Sequence, residues 1–212
     1  MNEKLDALLK EVEAFGVEND RRATDHAEKM LNITPDTGEF LLLLIRALQA
    51  KRILELGTSN GYSTLWLAYA VQPLGGIVTT VELLLHKVEM ARANFTRAGL
   101  ASLIELQLAD AGAFLKEQWP ESFDFIFLDA NRSQYVAWWQ DLQRVLVPGG
   151  LMVVDNAVSH AKEIEGFVKA VQRIHHYVAS SRPSRQRRIS DPEREPGPCR
   201  RDGWIVYGQL VC

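Results

Sequence analysis

Asp129 and the pair Asp155-Asn156 each follow four apolar residues, Phe125-Ile126-Phe127-Leu128 and Leu151-Met152-Val153-Val154. An ionised carboxylate at the end of a buried strand is costly unless something compensates it. Two such ends, with an amide beside one, make an all-oxygen donor set of the kind hard cations such as Mg²⁺, Ca²⁺ or Mn²⁺ accept. The same aspartates would also serve as caps for the helices that follow. Spacing alone leaves both readings open.

A second group surrounds the turn Glu55-Leu56-Gly57-Thr58-Ser59-Asn60-Gly61. Glycines after a first strand let the backbone turn tightly and approach a ligand closely. The spacing G-x-x-x-G matches neither the dinucleotide pattern G-x-G-x-x-G nor a phosphate-binding loop. Glu55 before the first glycine is a poor neighbour for a pyrophosphate. It suits the amino group of a zwitterionic, sulfonium-bearing cofactor. Glu82 closes the second strand, where an acid accepts ribose hydroxyls, and Asp110 closes the third, within reach of an adenine amino group. Any one of these acids alone reads equally well as a helix cap. Three at successive strand ends beside a glycine turn point to an adenosine site.

These residues need a parallel sheet to gather them. Predicted strands at 52–56, 77–82, 103–108, 123–129 and 151–155 alternate with predicted helices at 63–71, 84–98, 111–118, 135–146 and 162–174. Two further helices, at 3–15 and 36–49, precede them. The alternation specifies right-handed crossovers, and the nearly continuous apolar strands require both sheet faces to be covered. The expected fold is α/β, a doubly wound, mostly parallel sheet with helices on both faces. In a 3-2-1-4-5 strand order, the fourth and fifth strand ends adjoin the cofactor turn.

With 212 residues the chain suits one such domain, over 1–177. Residues 178–203 are rich in Arg, Pro and Ser and read as a surface segment or a basic arm; 204–212 could form a last strand. A net charge of -3 gives no reason to expect nucleic acid. No apolar run approaches a membrane span, and the acidic start Met1-Asn2-Glu3 is not that of a signal peptide. Cys199 and Cys212 form neither a disulfide framework nor a zinc motif. A cytoplasmic protein acting on a small molecule is expected.

The segments ELGTSNGYS (55–63), VELLLHKVEMARANFTRAGL (81–100), FDFIFLDA (123–130) and LVPGGLMVVDN (146–156) resemble the cation-dependent O-methyltransferases, which include catechol and caffeoyl-CoA O-methyltransferases and bacterial small-molecule relatives. With NITPDTGEFLLLLIRAL before them, the likeness covers about residues 30–160. It implies a Rossmann-like methyltransferase fold and a homodimer. It also implies S-adenosylmethionine surrounded by Glu55, Gly57, Thr58, Ser59, Gly61, Ser63, Glu82, Asp110 and Asp129. Asp129, Asp155 and Asn156 would hold Mg²⁺ or a similar ion, which acidifies a hydroxyl of a catechol-like aromatic acceptor.

Two departures stand out. Where the family often carries a lysine as a candidate base, three residues after the first metal aspartate, this chain has Arg132, which stays protonated. Metal acidification alone, or His160, must then serve; His160 reads more readily as an exposed helix-start residue. Residues 178–203 do not read as the family's closing hairpin. A divergent end, or a reading frame shifted near Val178, is expected to leave an incomplete sheet edge. Met30, Tyr135, Trp138 and Trp139 are candidate acceptor-loop residues or packing residues. A metal-independent methyltransferase, a weakly catalytic S-adenosylmethionine-binding protein and a nucleotide-dependent oxidoreductase are the alternatives.

Overall fold

A computed structural model describes residues 3–156, 165–172, 177–179 and 205–208. Helices α1 (Glu3–Arg22) and α2 (Pro35–Leu48) lead into β1 (Arg52–Leu56), α3 (Tyr62–Val71), β2 (Ile77–Glu82), α4 (Leu85–Ala98) and β3 (Ile104–Leu108). There follow α5 (Ala111–Glu117), β4 (Phe123–Leu128), α6 (Tyr135–Val145), β5 (Leu146–Val154), α7 (Glu165–Gln172), β6 (Tyr177–Ala179) and β7 (Ile205–Gly208). The sheet order is β3-β2-β1-β4-β5-β7-β6, with the first five strands parallel as expected.

Strand alternation divides the core in two. Ile53, Phe125, Phe127 and Val153 face α1 to α4, while Leu54, Leu56, Ile126, Leu128 and Val154 face α5 to α7. Helix α3 is sealed so completely that only Tyr69 of its ten residues escapes burial, which explains why it carries no polar stripe. On the opposite face Trp139 packs edge-on to Phe167 with ring centroids 5.3 Å apart, and Tyr135 lies 5.6 Å from the same ring. Tyr135, Trp138 and Trp139 are therefore packing residues.

Three boundaries correct the sequence reading. Helix α1 runs on to Arg22, beyond the expected end at residue 15. Its buried stripe of Leu5, Leu8, Leu9 and Val12 finishes at Gly16, so periodicity falls silent there. The last turns continue on Glu18, which pairs with Arg21 at 2.7 Å and with Arg22. Strand β5 begins at Leu146, not 151. Leu146 pairs with Phe123 and Leu151 with Phe125, and an irregularity between them accommodates Pro148-Gly149-Gly150.

The third correction concerns the far edge. The sheet does not stop at β5: β7 pairs antiparallel with it from Leu151↔Gly208 to Val154↔Ile205, and β6 pairs antiparallel with β7 through Val178↔Val206. The expected incomplete edge is not found, because the β-branched residues Val178, Ile205 and Val206 suffice for pairing despite the composition between them. Val178 and Ala179 thus belong to a strand. Residues 180–204 lie outside the described residues, as do 157–164 with His160. No helix among the described residues is long and apolar enough to cross a membrane.

Candidate active site at the strand ends

The parallel register itself lines up the candidate acids. Leu56 is in register with Val81 and with Leu128, and Leu128 with Val154. One residue further, the ladder continues: the amides of Gly57, Asp129 and Asp155 each donate at 3.0 Å to Val81, Leu56 and Leu128 in turn. Glu82, Gly57, Asp129 and Asp155 therefore stand side by side along one rim of the sheet, on strands spaced about 4.8 Å apart.

A crevice of about 540 Å³ opens above this rim, within the size range of small-ligand sites. Of the expected site residues, Gly57, Thr58, Ser59, Ser63, Glu82, Asp129, Arg132 and Asn156 line it. Ser59 N donates to Glu82 Oε2 at 2.8 Å, while Glu82 Oε1 accepts from the amides of Leu83 and Leu84 at 2.9 Å. Glu82 is thus fixed facing the turn, with lone pairs left for further donors.

Glu55 departs from expectation. It is wholly buried and does not line the crevice. Its carboxyl accepts hydrogen bonds from Ser63 Oγ at 2.6 Å, from Thr64 Oγ1 at 2.5 Å and from Thr80 Oγ1 at 2.6 Å. Thr80 spends its proton on Glu55, so Thr58 Oγ1 donates to Thr80 Oγ1 at 2.6 Å. Glu55 therefore ties β1, β2, α3 and the glycine turn together instead of presenting itself to a ligand. Asp110 is corrected too: its Oδ1 accepts from Ala113 N at 2.9 Å and caps α5, outside the crevice wall. It stands two residues beyond Leu108, the register partner of Glu82, and so misses the rim. Gly61 caps α3 at φ +86°, where a Cβ would meet Phe95 at 2.5 Å; it shapes the turn from behind.

Burial pushes Glu55 up to about 7 from 4.5, only partly offset by the three hydroxyls. The folded protein holds a proton that the unfolded chain releases, so stability falls as pH rises through 4.5 to 7. The full cost, about 3 kcal/mol at most, applies above that window. Glu55→Gln is expected to flatten urea-unfolding stability against pH between 5 and 8. Lost hydroxyl acceptors will lower the variant's absolute stability, so the slope is the readout. A slope equal to the parent's would assign the titration to other groups.

Asp129 and Asp155 are the electrostatic centre. Asp155 is 4% exposed, and Asn156, at φ +54°, donates from Nδ2 to its Oδ2 at 2.6 Å. Burial first, and then the Asp155 carboxylate, hold Asp129 well above the ordinary carboxylate range; Arg132 pulls it back. Arg132 Nη2 reaches Asp129 Oδ1 only at 3.4 Å. Two buried acids repelling one another beside an amide oxygen form a donor set that fits a hard divalent cation. Among the described residues no group of three His, Cys, Asp or Glu gathers.

Of the wall formed by residues 29–33, sequence reasoning singled out only Met30. Asp20 accepts from the amides of Met30 at 2.6 Å and Leu31 at 2.8 Å. Ser59 Oγ donates to Met30 O at 2.7 Å, and the buried Lys87 donates from Nζ to Lys29 O at 2.6 Å. Only the unsuspected last turns of α1 bring Asp20 into place. Leu31, Asn32 and Ile33 also wall a second cavity of about 410 Å³, whose lining includes Asp155, Asn156, Val17 and Thr37. Asn156 borders both spaces.

The O-methyltransferase family profile matches residues 8–180. Catechol O-methyltransferases from Niastella koreensis and Mycobacterium tuberculosis are 38% and 39% identical over 138 and 137 residues, 64% of this chain and 62% of each relative. The matched stretch thus spans about three fifths of those relatives. An O-methyltransferase from Bacillus cereus solved with SAH superposes with a TM-score of 0.73 at 27% identity, covering 96% of this chain and 90% of that one. TomG from Streptomyces achromogenes, an O-methyltransferase involved in tomaymycin synthesis and solved with SAM, gives 0.73 at 26% identity, covering 100% and 91%. With a profile match across most of its length and the strand-end crevice in place, the chain belongs to the O-methyltransferase family.

Proposed function

We propose that the protein transfers a methyl group from S-adenosylmethionine to a hydroxyl of a small, catechol-like aromatic acceptor, with a divalent cation such as Mg²⁺ assisting. The observation that carries this reading is the adjacency of Asp129 and Asp155 along the rim that also bears Gly57 and Glu82. The relatives named as catechol O-methyltransferases support the acceptor class.

In this reading Glu82 accepts the ribose hydroxyls, and Gly57, Thr58, Ser59 and Ser63 line the donor's berth. Asp129, Asp155 and Asn156 hold the cation, which supplies charge neutralisation to a bound hydroxyl. Residues 31–33 orient donor and acceptor from the wall they share, and the second cavity admits the acceptor beside Asn156. Catalysis then comes from positioning and electrostatics. Arg132 holds its proton throughout and is no base.

The test is a panel of aromatic diols and monophenols incubated with methyl-labelled S-adenosylmethionine. Transfer is expected for vicinal diols, lost in EDTA and regained with excess Mg²⁺. Undiminished transfer in EDTA would leave a metal-independent methyltransferase. Cofactor binding without turnover on any acceptor would leave a binding protein.

A further inference from the structure

Arg132 lines the crevice, yet the proposed reaction does not use its chemistry, and its setting is unusual. Its side chain and that of Asp129 are only 17% and 18% exposed, so theirs is not a solvated surface pair. The contact between them is long at 3.4 Å, and Arg132 Nε is buried without a hydrogen-bond partner. A guanidinium with five donors normally satisfies more of them when withdrawn from water. What keeps it there is charge: it faces the Asp129 carboxylate, next to Asp155 on the neighbouring strand end.

We infer that Arg132 is a built-in competitor for the divalent cation, occupying Asp129 until the ion displaces it and setting the site's affinity low. This rests on the reading that Asp129 and Asp155 hold that ion. The charges follow simply. The two carboxylates sum to −2 and Arg132 reduces the pair to −1, so an arriving cation meets half the attraction the acids alone would exert. It also meets a positive neighbour on the Oδ1 side of Asp129. Arg132 must then swing off that oxygen. The crevice it lines gives it room to do so, and its unpartnered Nε means that little hydrogen bonding is lost on leaving. A single unit charge within 4–6 Å shifts a neighbouring ionic equilibrium by one to three powers of ten. Neutralising Arg132 should therefore tighten binding about tenfold or more.

The experiment is calorimetric titration of the full chain with Mg²⁺ alone, without S-adenosylmethionine. Arg132→Met and Arg132→Gln remove the charge, Arg132→Lys keeps it, and thermal melts check that each variant folds. Both neutral variants are expected to bind Mg²⁺ about tenfold more tightly than the parent, and the lysine variant within about threefold of it. Adding Asp155→Asn to a neutral variant should erase the gain, which locates the ion. Equal or weaker binding by both neutral variants overturns the competition while leaving the cation site standing. No Mg²⁺ binding by parent or variants overturns the cation site and the competition together.

Discussion

Asp155→Asn is expected to lower kcat/KM on a vicinal diol by about a thousandfold, since in the proposed reaction it helps hold a cation worth several kcal/mol of charge stabilisation. The same substitution should leave the ligand-free protein at least as stable as the parent. Asp155 is nearly buried, and its carboxylate raises the cost of ionising Asp129. An amide of the same shape removes that repulsion and still offers an oxygen to Asn156 Nδ2, which donates to Asp155 Oδ2 at 2.6 Å. Activity and melting temperature should therefore part company, as they do where a site is kept against the interest of the fold. Steady-state kinetics with excess Mg²⁺, beside thermal melts in EDTA, checks both. Full activity in a folded Asp155→Asn protein would remove the residue from the reaction.

Among the described glycines, Gly57→Ala should be the most damaging added methyl. The position sits at φ +101°, and an ideal Cβ there would lie 2.1 Å from the carbonyl oxygen of Asp129 and 2.8 Å from its carbon. The obstacle is backbone, so no rotamer relieves it. Strain of about 1–3 kcal/mol is compounded by overpacking of about 1–3 kcal/mol. To make space, either the turn must lift or the end of β4 must move, and each displaces a different half of the crevice. The expected result is a melting temperature lower by about ten degrees and no detectable SAH binding by calorimetry. Parental affinity for SAH in this variant would mean that the turn is not the donor's berth.

The sequence carried the fold well wherever the physics was local and repetitive. Strands 52–56 and 77–82 appear with the expected ends because apolar runs stop at a glycine turn or an acid. The alignment of Asp129 with Asp155 was readable because each acid directly follows an apolar strand run, and the last residues of those runs, Leu128 and Val154, pair in register. Glu55 was misassigned for a different reason. Its partners are hydroxyls eight and nine residues along and on the neighbouring strand, and only the folded register shows that Ser63, Thr64 and Thr80 converge on it. Asp110 was a correct acid at an incorrect depth, two residues past the rim. Apart from Met30, residues 29–33 gave no signal because the amides of Met30 and Leu31 hold the segment to Asp20, and amides leave no trace in residue type. The pairing of β6 and β7 was masked by the Arg- and Pro-rich composition of the segment that joins them.

Because Leu31, Asn32 and Ile33 border both spaces, the proposed placement of donor and acceptor would make this scaffold resist piecemeal retargeting toward bulkier acceptors. Widening the chamber by trimming those three side chains would loosen the donor's grip in the same stroke. Val17 and Thr37 touch only the second space, so substitutions there enlarge one compartment while the other keeps its shape.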